Sequence, residues 1–135
     1  MWPLFQGRTC EPTTSSNGTC TLGAFPVYSV NVSTTIQVQL AVNFARNTNV
    51  RLVIKNTGHD YLGKSSGAGS INIWTHNLKD IAFLPNYESA EYSGKALKVG
   101  AGVTLREVYE AAHKYGVSVS GGICEVIDNL CTALN

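Results

Sequence analysis

The sequence has little charge and no long apolar run, and these absences exclude several classes of protein. Only 14% of its 135 residues are charged, and ten Lys and Arg against nine Asp and Glu leave a formal charge of +1. No basic cluster is available for nucleic acid or an anionic lipid surface. No stretch of about 18 apolar residues is available to span a membrane. With four prolines and 44% hydrophobic residues, the chain is too apolar for disorder and long enough for one modest core.

The cysteines and glycosylation sequons point towards the secretory pathway. Cys10 and Cys20 flank a polar, turn-rich stretch that a disulfide could close, whereas neither has a second Cys or His at the short spacing of a zinc site. Sequons begin at Asn17 and Asn31. Residues 1–6, however, lack the charged and apolar regions of a signal peptide. Either the start is truncated or the secretory interpretation is wrong.

The hydrophobic pattern predicts mixed α and β structure after an irregular arm over residues 1–30. A first helix is expected from the Ser33–Thr35 cap through about Asn47, ended by residues 47–49. The apolar residues at helical spacing predict one buried stripe made of Ile36, Leu40, Phe44, Ala41 and Ala45. Extended segments are predicted at residues 27–30, 50–54, 70–74, 97–101 and 117–120, with a further short element over 78–84 that Pro85 and Asn86 close.

A second helix carries the clearest local signals. Thr104 and Glu107 have the spacing of a capping box, in which hydroxyl and carboxylate satisfy free N–H groups of the first turn. Gly116 is placed to end the helix. Its predicted apolar face consists of Leu105, Val108, Tyr109 and Ala112.

The glycine-rich segment over residues 55–69 is the candidate for binding chemistry. Its glycines and hydroxyl side chains follow a predicted strand: Gly58, Gly63, Gly67, Gly69, Thr57, Ser65 and Ser66. Successive backbone N–H groups in such a loop can form a concave cradle for phosphate oxygens. An ordinary polar turn has the same composition. From the pattern alone, the two interpretations stay equally open.

Single histidines and cysteines carry little information by themselves. His59 lies within the glycine-rich segment, but a lone His is usually a hydrogen-bonded or surface residue. None of the three histidines has a second His at i+3 or i+4, so no metal site is expected. Considered without its neighbours, Cys124 is interpreted as a small buried residue, because free cysteines are commonly buried.

The segment Arg51–Ser70, with Ile73–Asp80 after it, resembles the fungal berberine-bridge-enzyme-like FAD oxidoreductases of the vanillyl-alcohol-oxidase superfamily. Further matching segments follow the family's order, namely 8–10, 20–23, 37–46 and 119–125. The resemblance implies an α+β fold, the N-terminal lobe of a PCMH-type FAD-binding domain. It also implies FAD and a small-molecule substrate as partners, and a secreted protein.

By the same resemblance, the Gly58-His59-Asp60 loop holds the FAD pyrophosphate and His59 attaches covalently to the methyl group at flavin C8. Cys124 aligns with the position of a second bond, to flavin C6. The cofactor-binding residues that the resemblance implies are Asn56, Thr57, Gly58, His59, Asp60, Ser65, Ser66, Gly100, Gly102 and Cys124. The implied reaction is oxidation of an alcohol, sugar or amine carbon with O2 as electron acceptor.

The sequence departs from the family after Ile127. Residues 128–135 replace the expected glycine-rich run with an aberrant tail, which leaves residues 31–127 as a partial FAD-binding domain. The substrate domain and its catalytic base have no counterpart, so no catalytic residue is assigned. We therefore expect this chain by itself to be inactive. The alternative is a non-enzymatic truncated remnant with weak or no flavin binding.

Overall fold

The computed structural model describes residues 4–5, 7 and 21–126, and the chain divides into two compact units, residues 1–75 and 76–135. Two helices and five strands lie in the described residues, which confirms the mixed α and β class. Cys10, Cys20 and Asn17 lie outside these residues, so the disulfide and the first sequon stay predictions. Neither described helix is long and apolar enough to cross a membrane.

The first unit is a three-stranded parallel sheet with one helix. Its strands are β1 (Tyr28–Asn31), β2 (Leu52–Lys55) and β3 (Ile71–Trp74), in the spatial order β1-β3-β2. Helix α1 (Thr35–Thr48) joins β1 to β2, since parallel strands need a crossover connection. The predicted boundary between the N-terminal arm and the FAD-binding domain, between residues 30 and 31, falls within β1.

The predicted caps of α1 are confirmed. Thr34 is the N-cap, and its hydroxyl accepts a hydrogen bond from the Gln37 N–H at 3.3 Å. At the other end Asn49 adopts the left-handed conformation, with φ of 53°. Its backbone N–H donates to the carbonyls of Ala45 and Arg46 in the last turn.

The inward face of α1 differs from the prediction. Ala41 and Ala45 are buried, whereas Ile36, Leu40 and Phe44 are 67%, 62% and 53% exposed. Residues advance by about 100° each around a helix, so the two sets point in directions about 120° apart. The prediction of one buried stripe is wrong because it merged these two faces.

The second unit is a β-hairpin followed by a helix. β4 (Ile81–Glu88) and β5 (Ser93–Val99) pair antiparallel, and α2 spans Leu105–Lys114. The prediction that Pro85 closes its element is wrong, because β4 continues past it. The register shifts between Leu84 and Tyr87, and this irregularity accommodates a residue that has no N–H for the ladder.

Helix α2 confirms the predicted capping box. The Glu107 carboxylate accepts the Thr104 N–H at 2.7 Å and the Thr104 hydroxyl at 2.9 Å. The same carboxylate forms an ion pair with the Lys79 ammonium at 2.8 Å, and this ion pair links the segment before β4 to the start of the helix. Gly116 follows the helix with φ of 63°. The buried side chains of α2 are Leu105, Val108 and Ala112, while Tyr109 is 37% exposed.

The predicted strand over residues 117–120 is wrong. These four residues, all of them described, contain a single β-bridge position at Val119. In the described part of the chain this segment forms no strand beyond that single bridge, so it is irregular.

Candidate functional site

A pocket of about 340 Å³ lies against the parallel sheet in the first unit. Its lining residues come from the strands, the glycine-rich segment and the chain before β1: Phe25, Pro26, Ser29, Lys55, Thr57, Gly58, Ser65, Ser66 and Asn72. The sequence therefore brings together residues that are up to 47 positions apart, from all three strands, from the chain before β1 and from the residues between β2 and β3 (residues 56–70, called the loop from here on).

The strand register explains why polar side chains meet in this pocket. Ser29 of β1 and Val53 of β2 both lie beside Asn72 of the central strand. Lys55 follows Val53 by two residues, so Ser29, Asn72 and Lys55 share one face of the sheet. The alternate residues of β3, Ile71 and Ile73, are buried and belong to the opposite face. The sheet thus has a polar face, which borders the pocket, and an apolar one.

Side-chain hydrogen bonds hold the loop in shape. The Asp60 carboxylate accepts the N–H of Leu62 at 2.9 Å and the N–H of Lys64 at 2.7 Å, which closes a tight turn. Buried Ser66 donates its hydroxyl to the carbonyl of Ala24 at 2.7 Å, which ties the loop to the chain before β1. These bonds give the loop a defined conformation.

Gly58 brings the loop backbone close to a cation. Its φ is 88°, in the left-handed region that favours glycine. A Cβ at this position would lie 2.8 Å from Cε of Lys55, so the lysine side chain runs directly beside the Gly58 backbone. The phosphate-cradle interpretation gains support from this geometry.

The structure separates the predicted residues of the loop into two groups. Thr57, Gly58, Ser65 and Ser66 line the pocket. Asn56, His59 and Asp60 belong to the same loop but do not line it. Asn56 is buried, and its carbonyl accepts the Trp74 indole N–H at 3.0 Å. His59 and Asp60 are half-buried.

Gly100 and Gly102 lie in the second unit, where packing accounts for the first of them. A Cβ on Gly100 would fall 2.2 Å from the carbonyl oxygen of Leu78. The Gly100 N–H donates to the Asp80 carbonyl at 2.7 Å, and the Gly102 N–H donates to the Leu78 carbonyl at 3.0 Å. Two backbone segments therefore approach so closely that no side chain fits at residue 100.

Cys124 is exposed with a free thiol, so the interpretation of it as a buried residue is wrong. Its segment runs along the outside of α2 and is held by polar contacts. The Tyr109 hydroxyl donates to the Gly122 carbonyl at 3.0 Å, and the Arg106 N–H donates to the Glu125 carbonyl at 3.0 Å. The Arg106 guanidinium also pairs with the Glu125 carboxylate, and this hydrogen bond and charge raise the pKa of Arg106.

Sequence reasoning missed Lys55 and Asn72. No ion pair involves Lys55 among the described residues. Asn72 is 2% exposed; its amide nitrogen donates to the Ser29 hydroxyl at 2.9 Å, and its amide oxygen has no hydrogen-bond partner in the described part of the chain. Two signals could have identified them, namely a cation directly before the glycine-rich loop and a polar residue between two isoleucines of a strand. In the same part of the chain no three His, Cys, Asp or Glu side chains could hold a metal ion.

Comparison with known proteins gives consistent matches. The family model described as "FAD binding domain" matches residues 26–125. The VAO-type flavoprotein oxidase VAO615 of Thermothelomyces thermophilus is 48% identical over 91% of this chain and 21% of its own length. The FAD-linked oxidoreductase sthB of Phaeosphaeria nodorum is 46% identical over 94% of this chain and 40% of its own length.

Solved structures agree with these matches. The crystal structure of the VAO-type flavoprotein MtVAO615 from Myceliophthora thermophila C1 has a TM-score of 0.86, 48% identity, and coverage of 92% of this chain and 23% of that one. MtVAO713 from the same source has a TM-score of 0.82 and 34% identity, over 91% of this chain and 23% of that one. The chain spans between about a fifth and two fifths of the length of the proteins compared here.

The residues of the pocket fit part of FAD. A lysine without an ion-pair partner among the described residues, a buried amide with an unpartnered oxygen and a left-handed glycine suit a phosphate-bearing ligand. The predicted cofactor is confirmed at the level of the family, as is the fold of the lobe. The chain belongs to the family of FAD-binding domains found in FAD-linked oxidoreductases.

Proposed function

We propose that the chain is the flavin-binding part of a covalent-flavin oxidoreductase of the berberine-bridge-enzyme-like group. The whole enzyme oxidises an alcohol, sugar or amine carbon and passes the electrons to O2. The names of two relatives support the oxidoreductase part of this proposal, one as a VAO-type flavoprotein oxidase and the other as a FAD-linked oxidoreductase. FAD supplies the two-electron acceptor, and the protein supplies binding and orientation.

The conformation of the Gly58-His59-Asp60 loop carries the proposal. Gly58 takes a backbone conformation that L-residues rarely adopt, and the Asp60 carboxylate closes the turn that follows. His59 is held between them with its side chain half-exposed, within reach of a ligand from outside. The imidazole of His59 offers a nitrogen nucleophile for the flavin C8 methyl. The bond would form with loss of one proton from the methyl group and one from the imidazole N–H, and the two electrons left on the flavin would pass to O2, the acceptor proposed above.

Cys124 is proposed as the second attachment point, at flavin C6. Its thiol is exposed, as a nucleophilic cysteine must be. Tyr109 and Arg106 fix the backbone on either side of it through Gly122 and Glu125. Because that segment is anchored to α2, the thiol has a defined place on the second unit.

Covalent attachment is tested by supplying FAD to the purified chain, precipitating it with acid and identifying flavin-bearing peptides by mass spectrometry. We expect flavin on the His59 peptide, loss of that product in His59→Ala, and loss of only the second bond in Cys124→Ala. His113→Ala is the matched control, since His113 is an exposed histidine of α2. A chain that takes up no covalent flavin would favour the non-enzymatic remnant instead.

The proposal includes passage through the secretory pathway with a Cys10–Cys20 disulfide and glycans at Asn17 and Asn31. Asn31 is an exposed residue at the end of β1, where a glycan has access. A disulfide closing a loop of this size contributes on the order of 2–3 kcal/mol by restricting the unfolded chain. Peptide mapping of non-reduced, secreted protein decides the pairing, and freely alkylated thiols at both positions would reject it.

A further inference from the structure

We propose that Lys55 and Asn72, on the polar face of the parallel sheet, form a recognition site for the diphosphate of FAD. Both residues belong to strands, and they line the pocket together with Gly58 and the loop hydroxyls. The site deepens the proposed function and rests on it, because it assigns to two strand residues part of the binding that the resemblance gives to the loop alone.

The ammonium group of Lys55 provides the charge. Lys55 lines the pocket, and its side chain runs beside Gly58, where the loop backbone turns. Both ion pairs of the described residues lie in the second unit, so no described carboxylate neutralises Lys55. Asp60 is the nearest acidic residue in sequence, and both of its carboxylate oxygens accept hydrogen bonds from backbone N–H groups. An anion in the pocket would therefore meet an unpaired cation, which is the stronger class of hydrogen-bond donor.

Asn72 provides a neutral donor beside that charge. The nitrogen of its buried amide is bonded to Ser29, while the oxygen has no partner among the described residues, and an unmade buried hydrogen bond is unfavourable. The Ser29 hydroxyl can donate as well as accept. Rotating the amide by half a turn therefore keeps the Ser29 bond and leaves the NH2 group for a phosphate oxygen. A ligand acceptor in the pocket would then satisfy the amide completely.

The Ser66 hydroxyl does not add a further donor to the pocket. Ser66 has one hydroxyl proton, and that proton is already bonded to the Ala24 carbonyl at 2.7 Å. No Asp or Glu side chain lines the pocket in the described residues, so no carboxylate there repels an anion. Charge and hydrogen-bond donors together select a diphosphate over the uncharged parts of the cofactor.

Calorimetric titration of the purified chain with ADP tests the inference, because ADP carries the diphosphate but no flavin and cannot attach to His59. Lys55→Met should weaken ADP binding about tenfold or more, as expected for loss of a charged hydrogen bond. Lys55→Arg should retain most of the affinity because it keeps the charge. Lys64→Met removes an exposed lysine from the same loop and should change nothing.

Asn72→Leu separates a binding role from a structural one. Leucine keeps the branching of asparagine and removes the unsatisfied oxygen but is larger, so the urea midpoint of unfolding is measured beside the ADP affinity to report the effect on the fold separately. ADP affinity should fall several-fold. A lower midpoint with unchanged affinity would assign Asn72 to the fold alone and overturn its part in the site.

The possible results distinguish this inference from the proposed function. Equal ADP affinity in wild type and Lys55→Met, or no ADP binding by the wild-type chain, overturns the inference even if flavin attaches to His59. Riboflavin has no phosphate and serves as the second probe. An equal loss of riboflavin and ADP binding in Lys55→Met would show general damage to the pocket and would also overturn the diphosphate assignment.

Discussion

Replacing Gly100 with alanine should destabilise the second unit through a backbone clash. The added Cβ would lie 2.2 Å from the Leu78 carbonyl oxygen and 2.8 Å from its carbonyl carbon, whereas ordinary contacts begin at 3.4 Å. The obstacle is backbone and cannot rotate away. The residue 78–80 segment must retreat, which stretches the Gly100–Asp80 and Gly102–Leu78 hydrogen bonds of 2.7 and 3.0 Å.

The expected loss of free energy of unfolding in Gly100→Ala is the sum of two contributions, the weakened hydrogen bonds and the overpacking. Two weakened hydrogen bonds cost about 1 kcal/mol each. Forcing an extra methyl group into a packed site costs about 1–3 kcal/mol more. Gly100→Ala should therefore lose about 3–5 kcal/mol, a large share of the stability of a domain of this size.

Gly116→Ala is the matched control, because the same methyl group there meets no atom within 4 Å. Its cost comes from a φ of 63° and should be only about 1–2 kcal/mol. Urea unfolding followed by circular dichroism, with both variants in one buffer and without FAD, measures the difference. If Gly100→Ala loses no more free energy of unfolding than Gly116→Ala, the steric argument is wrong.

Two further predictions concern the helices. Burial acts to raise the pKa of Glu107, but hydrogen bonds from Lys79 and Thr104 outweigh it and hold the pKa below its ordinary value of 4.5. The folded carboxyl is then the stronger acid, so its stabilisation is present above about pH 4.5 and is lost as the pH falls through the folded pKa. Glu107→Gln should flatten that acid limb of a plot of urea midpoint against pH, and an unchanged limb would contradict the assignment. On α1, Phe44→Gln should change the free energy of unfolding by less than about 0.5 kcal/mol because the ring is exposed, whereas Ala45→Leu should cost about 1–3 kcal/mol by overpacking a buried position. A larger loss for Phe44→Gln would show that this face of α1 is covered in solution.

Local signals in the sequence were sufficient for the elements that depend on near neighbours. The capping box of Thr104 and Glu107 joins residues three apart, and the stop at Gly116 depends on one backbone conformation. The glycine-rich loop was likewise visible, because glycine and small polar residues after a strand mark a turn whatever the rest of the fold does. The resemblance to flavin oxidoreductases rests mainly on the stretch that contains this loop, residues 51–80, and on shorter segments in the same order along the chain.

Tertiary structure decided which faces are buried and which polar residues meet. The hydrophobic pattern of α1 contained two apolar sides, and only packing against the sheet selected Ala41 and Ala45 over Phe44. Lys55 and Asn72 share a face because β3 inserts between β1 and β2, a strand order that no local pattern contains. Packing and strand order depend on the whole chain at once, whereas caps and turns depend on a few consecutive residues, and this difference in range is the physical reason for the division.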